Sequence, residues 1–199
     1  MNDTDIQSRD GGRIGMWLFI ATEILLFGGL FLLYSMYRYR HAGDFHAASL
    51  ELSRVFGTLN TGVLITSSLF AALAVHWFDD NKRDRATYFL WLTSAMGLVF
   101  LGVKAVEWSI KFHHGTYPSS PELLARSKGI ILYYGLYFMM TGLHALHVII
   151  GVVVLTVMGV RIRRGLPAAR SVLVGNSALY WHLVDVIWIF LFPLFYLIT

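Results

Sequence analysis

An all-α polytopic membrane protein, a bundle of five transmembrane helices, is what this sequence predicts, and three observations carry that reading. Hydrophobic residues make up 56% of the 199 and charged residues only 14%, too apolar a balance for one water-soluble domain to hide in its core. Five apolar stretches each reach the ~20 residues that a helix needs to cross a ~30 Å hydrocarbon layer. These stretches are too long and too unalternating for barrel strands, and lipid offers no partner to backbone N–H and C=O groups, so helices remain.

Each span has its own signature. The first, about Ile14–Tyr37, follows the polar leader "MNDTDIQSRDGG". It is too long for a signal-peptide core and no small-residue cleavage pattern follows it, so it is expected to be retained. The second, about Phe56–Phe78, carries Gly57, Thr58, Thr61, Gly62, Ser67 and Ser68, and the third, about Thr87–Phe112, carries Gly97 and Gly102. The fourth, about Ile131–Val160, has Gly142 and Gly151, and the fifth runs about Gly175–Ile198 with Pro193 the only proline inside a span. Small residues of this kind let helices approach closely where packing, rather than hydrophobicity, drives association; Gly28 and Gly29 beside Glu23 are expected to admit another helix. Tyr34, Tyr37, Tyr39 and Trp77 sit at span ends as interface anchors. The longest connection, "HHGTYPSSPELLARSKG", is expected to hold a short surface helix around Pro121–Ala125. Residues 1–199 read as a single membrane domain.

The formal net charge of +4 does not point to nucleic acid, because the basic residues lie in short loops beside the spans, where they orient a membrane protein. Arg9, Arg13, Lys82, Arg83, Arg85, Arg161, Arg163, Arg164 and Arg170 share one side. Arg38, Arg40, Arg54, Lys111, Arg126 and Lys128 lie on the other. The majority predicts a cytoplasmic N-terminus and an external C-terminus. The absence of cysteine excludes disulfides, thiolate metal sites and cysteine nucleophiles.

An ionisable residue at mid-membrane costs on the order of 2.5–3.5 kcal/mol by insertion scales, so each one asks for a reason. At ~1.5 Å per residue, Glu23, His182 and Asp185 fall about 10–15 Å from the cytoplasmic side and His144, Lys104 and Glu107 about 20–30 Å, with His147 between the two levels. Lys104 and Glu107 read as an i,i+3 ion pair able to snorkel to the outer interface. His182 and Asp185, one turn apart, read either as a self-satisfied pair bracing the helices or as a proton-handling pair. His144 and His147 suit a metal by chemistry, yet a di-iron site wants more carboxylates than this chain places at that depth, so no metal site is expected. Glu23 has no cation near it in sequence; it is expected to be protonated, or paired across helices with a histidine, or paired with another subunit.

These residues lie in stretches that resemble subunit III of the haem–copper cytochrome oxidases. The matching motifs are "MWLFIATEILLFGGLF" (Met16–Phe31), "LNTGVLITSS" (Leu59–Ser68), "KAVEW" (Lys104–Trp108), "MTGLHALHVIIG" (Met140–Gly151) and "YWHLVDVIWIFLF" (Tyr180–Phe192), in the family's order and over nearly the whole chain. The chain is similar to the short bacterial form, which lacks the first two of seven helices and so keeps the orientation that the charges predict. The resemblance implies a non-catalytic subunit of a terminal oxidase in the bacterial inner membrane, with no catalytic residue and no metal of its own. Haems and copper are then expected in partner subunits, and subunit I is the direct partner, with subunit II and a small subunit IV beyond it, within a respiratory supercomplex in some settings. By the same match Glu23 corresponds to the family's buried carboxyl linked to proton uptake, and His147, His182 and Asp185 to its intramembrane polar positions. Trp17, Glu23 and Arg38 correspond to contacts with bound phospholipid. A quinol oxidase subunit III and a homologue associated with nitric oxide reductases are the alternatives within the family; Glu23 and the intact "WHLVDVIW" favour the cytochrome c type, and the identity of subunit II decides. A self-sufficient proton-coupled transporter or a di-metal membrane enzyme is the more distant reading.

Overall fold

The computed structural model describes residues 3–165 and 171–198. Among the described residues seven helices follow one another: α1 Asp3–Arg40, α2 Ala42–Leu50, α3 Arg54–Asp79, α4 Arg83–His113, α5 Pro121–Leu124, α6 Lys128–Arg163 and α7 Ser171–Tyr196. Five of them, α1, α3, α4, α6 and α7, are long and apolar enough to cross a membrane. They cover the five expected spans, most overrunning the apolar stretch by a few residues because the backbone hydrogen-bond ladder continues into the polar interface, while α1 starts well before Ile14 and α7 stops at Tyr196. Arg170, counted among the orienting charges, lies outside the described residues.

The stops are legible. Asn81 adopts φ 58° in the tight α3–α4 turn, Gly115 φ 64° just past α4 and Gly165 φ 86° just past α6, the left-handed conformation that ends helices. The short helix α5 forms where it was expected: Pro121 occupies its first turn and the Ser120 hydroxyl accepts the Leu123 N–H at 3.1 Å. Helix α2 was not anticipated. Its Phe45 is fully buried edge-on between Tyr34 and Tyr133, 5.4 Å from each ring centre, which folds the loop after α1 over that end of the bundle.

Helices α3, α4, α6 and α7 make a ring of contacts, α3 on α4, α4 on α6, α6 on α7 and α7 on α3, while α1 lies outside it against α6, α7 and α2. In the apolar window of α7 56% of residues are buried, against 11% in that of α1, so α7 is the central helix and α1 a peripheral one. Trp181 of α7 is wedged between α4 and α6. A Cβ on Gly97 would come within 2.6 Å of its ring and one on Gly151 within 2.7 Å, and its indole N–H donates to the Ser67 hydroxyl of α3 at 2.9 Å. One side chain therefore touches all three other helices of the ring. Gly57 likewise gives room to Phe192 and Tyr196, and Gly142 to Trp108. By contrast Gly28, Gly29, Gly62 and Gly102 face open space within this chain, so the helix expected beside Gly28 and Gly29 is not one of its own.

The last turn of α7 leaves carbonyls without intrahelical donors. The Tyr34 hydroxyl of α1 donates to the Leu194 carbonyl, and Tyr133 of α6 donates to the Phe195 carbonyl at 2.7 Å. Nearby, Glu51 receives Arg126 at 2.6 Å and the Tyr134 hydroxyl at 2.7 Å, and its carbonyl accepts from the Lys111 ammonium at 2.7 Å. Partial burial opposes ionisation of the Glu51 carboxyl, but the hydrogen bonds from Tyr134 and Arg126 and the charge of Arg126 outweigh it and hold its pKa below the ordinary value.

Two predictions follow from this packing. Gly151→Ala should cost about 1–3 kcal/mol of stability by overpacking, measured by denaturant titration of the protein in mixed micelles, whereas Gly28→Ala, with nothing near its Cβ, should stay near zero. A carboxyl with a depressed folded pKa adds stability above its unfolded value and loses it as the pH falls through the folded one. Protection of the α2 amides, relative to their intrinsic exchange rates at each pH, should therefore fall as the pH drops below about 4.5, the ordinary Glu value; in Glu51→Gln this loss should vanish.

Candidate functional site

The intramembrane polar residues gather at two levels. Toward the end of the bundle that carries the start of α1 lie Glu23 of α1, His147 of α6, Ser68 of α3 and His182 and Asp185 of α7. Toward the other end lie Lys104 and Glu107 of α4 with Tyr137 of α6 and Tyr196 of α7, and His144 stands between the two.

Glu23 takes the histidine partner that was one of its three expected fates. Its Oε2 lies 3.0 Å from His147 Nε2, and both side chains are about nine-tenths buried, at 13% and 10% exposure. The approach is of ion-pair length without the alignment of a full hydrogen bond. The other ring nitrogen, Nδ1, faces the Leu143 carbonyl at 2.8 Å. A carbonyl can only accept, so Nδ1 carries a hydrogen and Nε2 is the nitrogen left for the carboxyl. One proton shared between Glu23 and Nε2 makes the pair neutral overall, either as carboxylic acid with imidazole or as carboxylate with imidazolium. Phe27 stands edge-on to the imidazole at 5.5 Å and Tyr180 donates to the His147 carbonyl at 3.1 Å, so the ring sits in a dry, fixed frame.

His182 and Asp185 do not form the internal pair that their spacing suggested. The His182 Nδ1 lies 2.7 Å from the Ser68 hydroxyl of α3, and both Asp185 oxygens lack a hydrogen-bond partner in a residue only 3% exposed. A one-turn spacing permits an intrahelical contact but does not force it; the close α3–α7 packing set by Trp181 and Ser67 puts a hydroxyl of the neighbouring helix within reach of the ring instead.

Lys104 and Glu107 do pair, at 3.0 Å, but they do not snorkel: both side chains are 3% exposed. The ammonium spends its three donors on Glu107, on the Tyr137 hydroxyl at 3.1 Å and on the Tyr196 hydroxyl at 2.7 Å, and Tyr196 in turn donates to Glu107 at 2.7 Å. Tyr137, Trp188 and Tyr196 present ring faces to Nζ at 4.8–5.3 Å. Tyr137 and Tyr196 are the members that sequence reading missed. Both lie at span ends, where a tyrosine reads as an interface anchor, and nothing in the linear pattern says that they turn inward.

His144 is fully buried between Phe100 and Trp188, at 5.4 and 5.3 Å, with neither nitrogen hydrogen-bonded. Among the described residues, no three His, Cys, Asp or Glu side chains come together as a metal ion would need. Trp17 is exposed near the start of α1, and Arg38 lies 21 residues further along the same helix, about 30 Å away, so the two cannot hold one headgroup. Between α1 and α7 runs an apolar groove of about 420 Å³ lined by Ile20, Ile24, Phe27, Gly28, Phe31 and Phe190 among others.

Removing one partner of a buried, hydrogen-bonded ion pair leaves an uncompensated charge. Lys104→Met should destabilise the protein by about 3–5 kcal/mol. Adding Glu107→Gln to it should restore most of that loss, read from the same denaturant titrations as a double-mutant cycle.

The comparisons with known proteins agree with this architecture. The family described as cytochrome c oxidase subunit III matches residues 2–199. The chain is 33% identical to a cytochrome c oxidase subunit 3 of Thermostichus vulcanus, over 94% of this chain and 87% of that one. It is 30% identical to a probable quinol oxidase subunit 3 of Staphylococcus aureus strain USA300, over 99% and 94%. A heme-copper oxidase subunit I+III of Aeropyrum pernix matches 96% of the chain at 31% identity, over 23% of its own length. The chain belongs to the cytochrome c oxidase subunit III family and is a subunit III of a haem–copper oxidase.

Proposed function

We propose that this subunit is a non-catalytic partner of subunit I that keeps the oxidase working through turnover, by supporting proton uptake at the Glu23–His147 pair and by holding phospholipid in the α1/α7 groove. The observation that carries the reading is that pair: a carboxyl and an imidazole 3.0 Å apart, nearly buried, able to hold one proton between them. Holding that proton the pair carries no net charge in the membrane, and releasing it leaves a carboxylate beside a neutral imidazole.

The direct contact with subunit I is supported by the fused subunit I+III relative, in which the two parts are one chain. Subunit II and a small subunit IV complete the assembly. Haems and copper belong to the partners, and the reaction that the whole carries out is reduction of oxygen to water with proton pumping. The membrane is the bacterial inner membrane and the N-terminus is cytoplasmic, on the weight of the basic residues beside the spans at that end. The α1/α7 groove lies within the ~300–1,000 Å³ of small-molecule sites, and its lining is apolar apart from His182 at one end, which suits an acyl chain. Trp17 sits near that same end of the bundle, where an indole meets headgroups. Glu23 is turned to His147 and supports the lipid only by shaping α1.

Relatives of both the cytochrome c and the quinol type match this chain, and the donor is a property of subunit II. A mild-detergent extract of native membranes, purified through a tag on this chain, should bring down a large polytopic partner with haem bands in the reduced-minus-oxidised spectrum. Copper in a co-purifying subunit II would mark cytochrome c as donor. A colourless chain purified alone would overturn the proposal. In the assembled complex, Glu23→Ala should leave haem content unchanged and shorten the time for which oxygen consumption continues under turnover; wild-type inactivation kinetics would remove Glu23 from that role.

A further inference from the structure

A second cavity, of about 500 Å³, opens at the end of the bundle that carries the start of α1. It is distinct from the Glu23–His147 pair, neither of which lines it. Its walls come from α1, α3 and α7, and their character changes with depth. Arg13, Asp79 and Asn176 stand at the mouth, and His182, ten residues along α7 from Val172 and so about 15 Å deeper, is the innermost lining residue. Asn176 holds the mouth in shape by donating to the Gly12 carbonyl at 3.0 Å. A polar-mouthed cavity of this size has room for several waters, each taking about 30 Å³.

His182 is also the point where the cavity meets the interior. Its Nδ1 lies 2.7 Å from the Ser68 hydroxyl, which leaves Nε2 for the cavity that the ring lines. Asp185 follows His182 by one helical turn, on the same face of α7 that meets Ser68. Asp185 is the unexplained group: 3% exposed, with neither oxygen hydrogen-bonded. Among the described residues no charged side chain offsets it from the helices packed on α7. Glu23 of α1 faces His147, His147 of α6 faces Glu23, His144 of α6 is shut between Phe100 and Trp188, and α3 offers Ser68 there and no ionisable group. Ionised, Asp185 would be a bare charge in a low-dielectric interior.

We propose that the α1/α3/α7 cavity is a water-filled well and that His182 and Ser68 relay protons between its water and Asp185, making Asp185 a proton-exchanging carboxyl inside the membrane. The step balances without a redox partner. A hydronium in the cavity gives its proton to His182 Nε2 and is left as water, the Nδ1 proton moves to the Ser68 oxygen, and the Ser68 hydroxyl proton bonds to the Asp185 carboxylate. The imidazole is left as its other tautomer and the carboxylate has become a carboxylic acid. This relay goes beyond the proton role given to Glu23 and does not depend on it; it uses a different helix pair and a different access route.

The test uses the assembled oxidase in lipid nanodiscs and reads the infrared band of protonated carboxyl groups as the sample passes from H2O to D2O. The wild-type minus Asp185→Asn difference should isolate one such band, and that band should shift promptly in D2O. Ser68→Ala should slow its exchange by about a hundredfold, the scale of a positioned proton-transfer group, and Ala72→Trp, which fills the cavity from α3, should slow it as well. Haem spectra of the same samples report assembly, so a failed complex is distinguished from a failed relay; if Ala72→Trp does not assemble, His182→Gln gives the second reading. The proposal is overturned by a difference spectrum with no Asp185-dependent band, or by exchange as fast in Ser68→Ala as in the wild type. Exchange that speeds up on removing lipid would also overturn it, because lipid rather than water would then fill the cavity.

Discussion

The ring of α3, α4, α6 and α7 depends on Trp181 and on the two glycines that make room for it. In lipid there is little hydrophobic gain in bringing helices together, so close packing and polar ties between helices must do the work. Trp181 provides both: its ring faces lie against α4 and α6 at Gly97 and Gly151, and its N–H reaches Ser67 of α3. The registers of the other contacts follow from this one. With α3 and α7 held at that point, Ser68 meets His182 one residue further along each helix, and Thr61 meets the Trp188 indole two turns away, at 3.0 Å.

That same closeness lets the chain keep ionisable groups inside the membrane. Lys104 and Glu107 survive without water because two tyrosines from two other helices complete their hydrogen bonds and three aromatic faces surround the ammonium. The cluster is fully satisfied, which is the condition under which a buried polar network rigidifies rather than weakens a core. Asp185 and His144 lie in equally dry places without such completion. The contrast separates a structural group from groups whose unmet valences call for another explanation, and only Asp185 has an access route next to it.

Much of this was legible in the sequence for a simple reason: lipid removes the alternatives. Five apolar runs of sufficient length can only be helices, and each came out as one. Short motifs in a fixed order pointed to the family before any coordinates. The depth expected from the rise per residue put His144 with Lys104 and Glu107 and left His147 between the levels, whereas His147 joins Glu23 and His144 stands between. What one chain of letters could not supply was azimuth across helices. His182 and Asp185 are one turn apart, and so are Lys104 and Glu107; the first two go separate ways while the second two pair, because the deciding partners, Ser68, Tyr137 and Tyr196, are 33 to 114 residues distant. Helix α2 escaped for another reason: nine residues with one deeply buried aromatic carry too little periodicity to be told from a loop.

Helix α1 follows a different rule from the ring. Few of its residues are buried, Leu18, Leu25 and Leu32 face outward at seven-residue intervals, and its glycines 28 and 29 meet nothing in this chain. At mid-membrane its polar tie among the described residues is Glu23 to His147, with Asn176 and Tyr34 pinning its two ends to α7. A helix held at both ends and once in the middle leaves gaps between the pins, and those gaps are the polar cavity near Arg13 and the apolar groove near Gly28. The two spaces meet at Leu179 and His182, which line both. Between its two ends α1 is thus tied to the ring where a carboxyl stands 3.0 Å from an imidazole, and elsewhere along its length it is free to leave space.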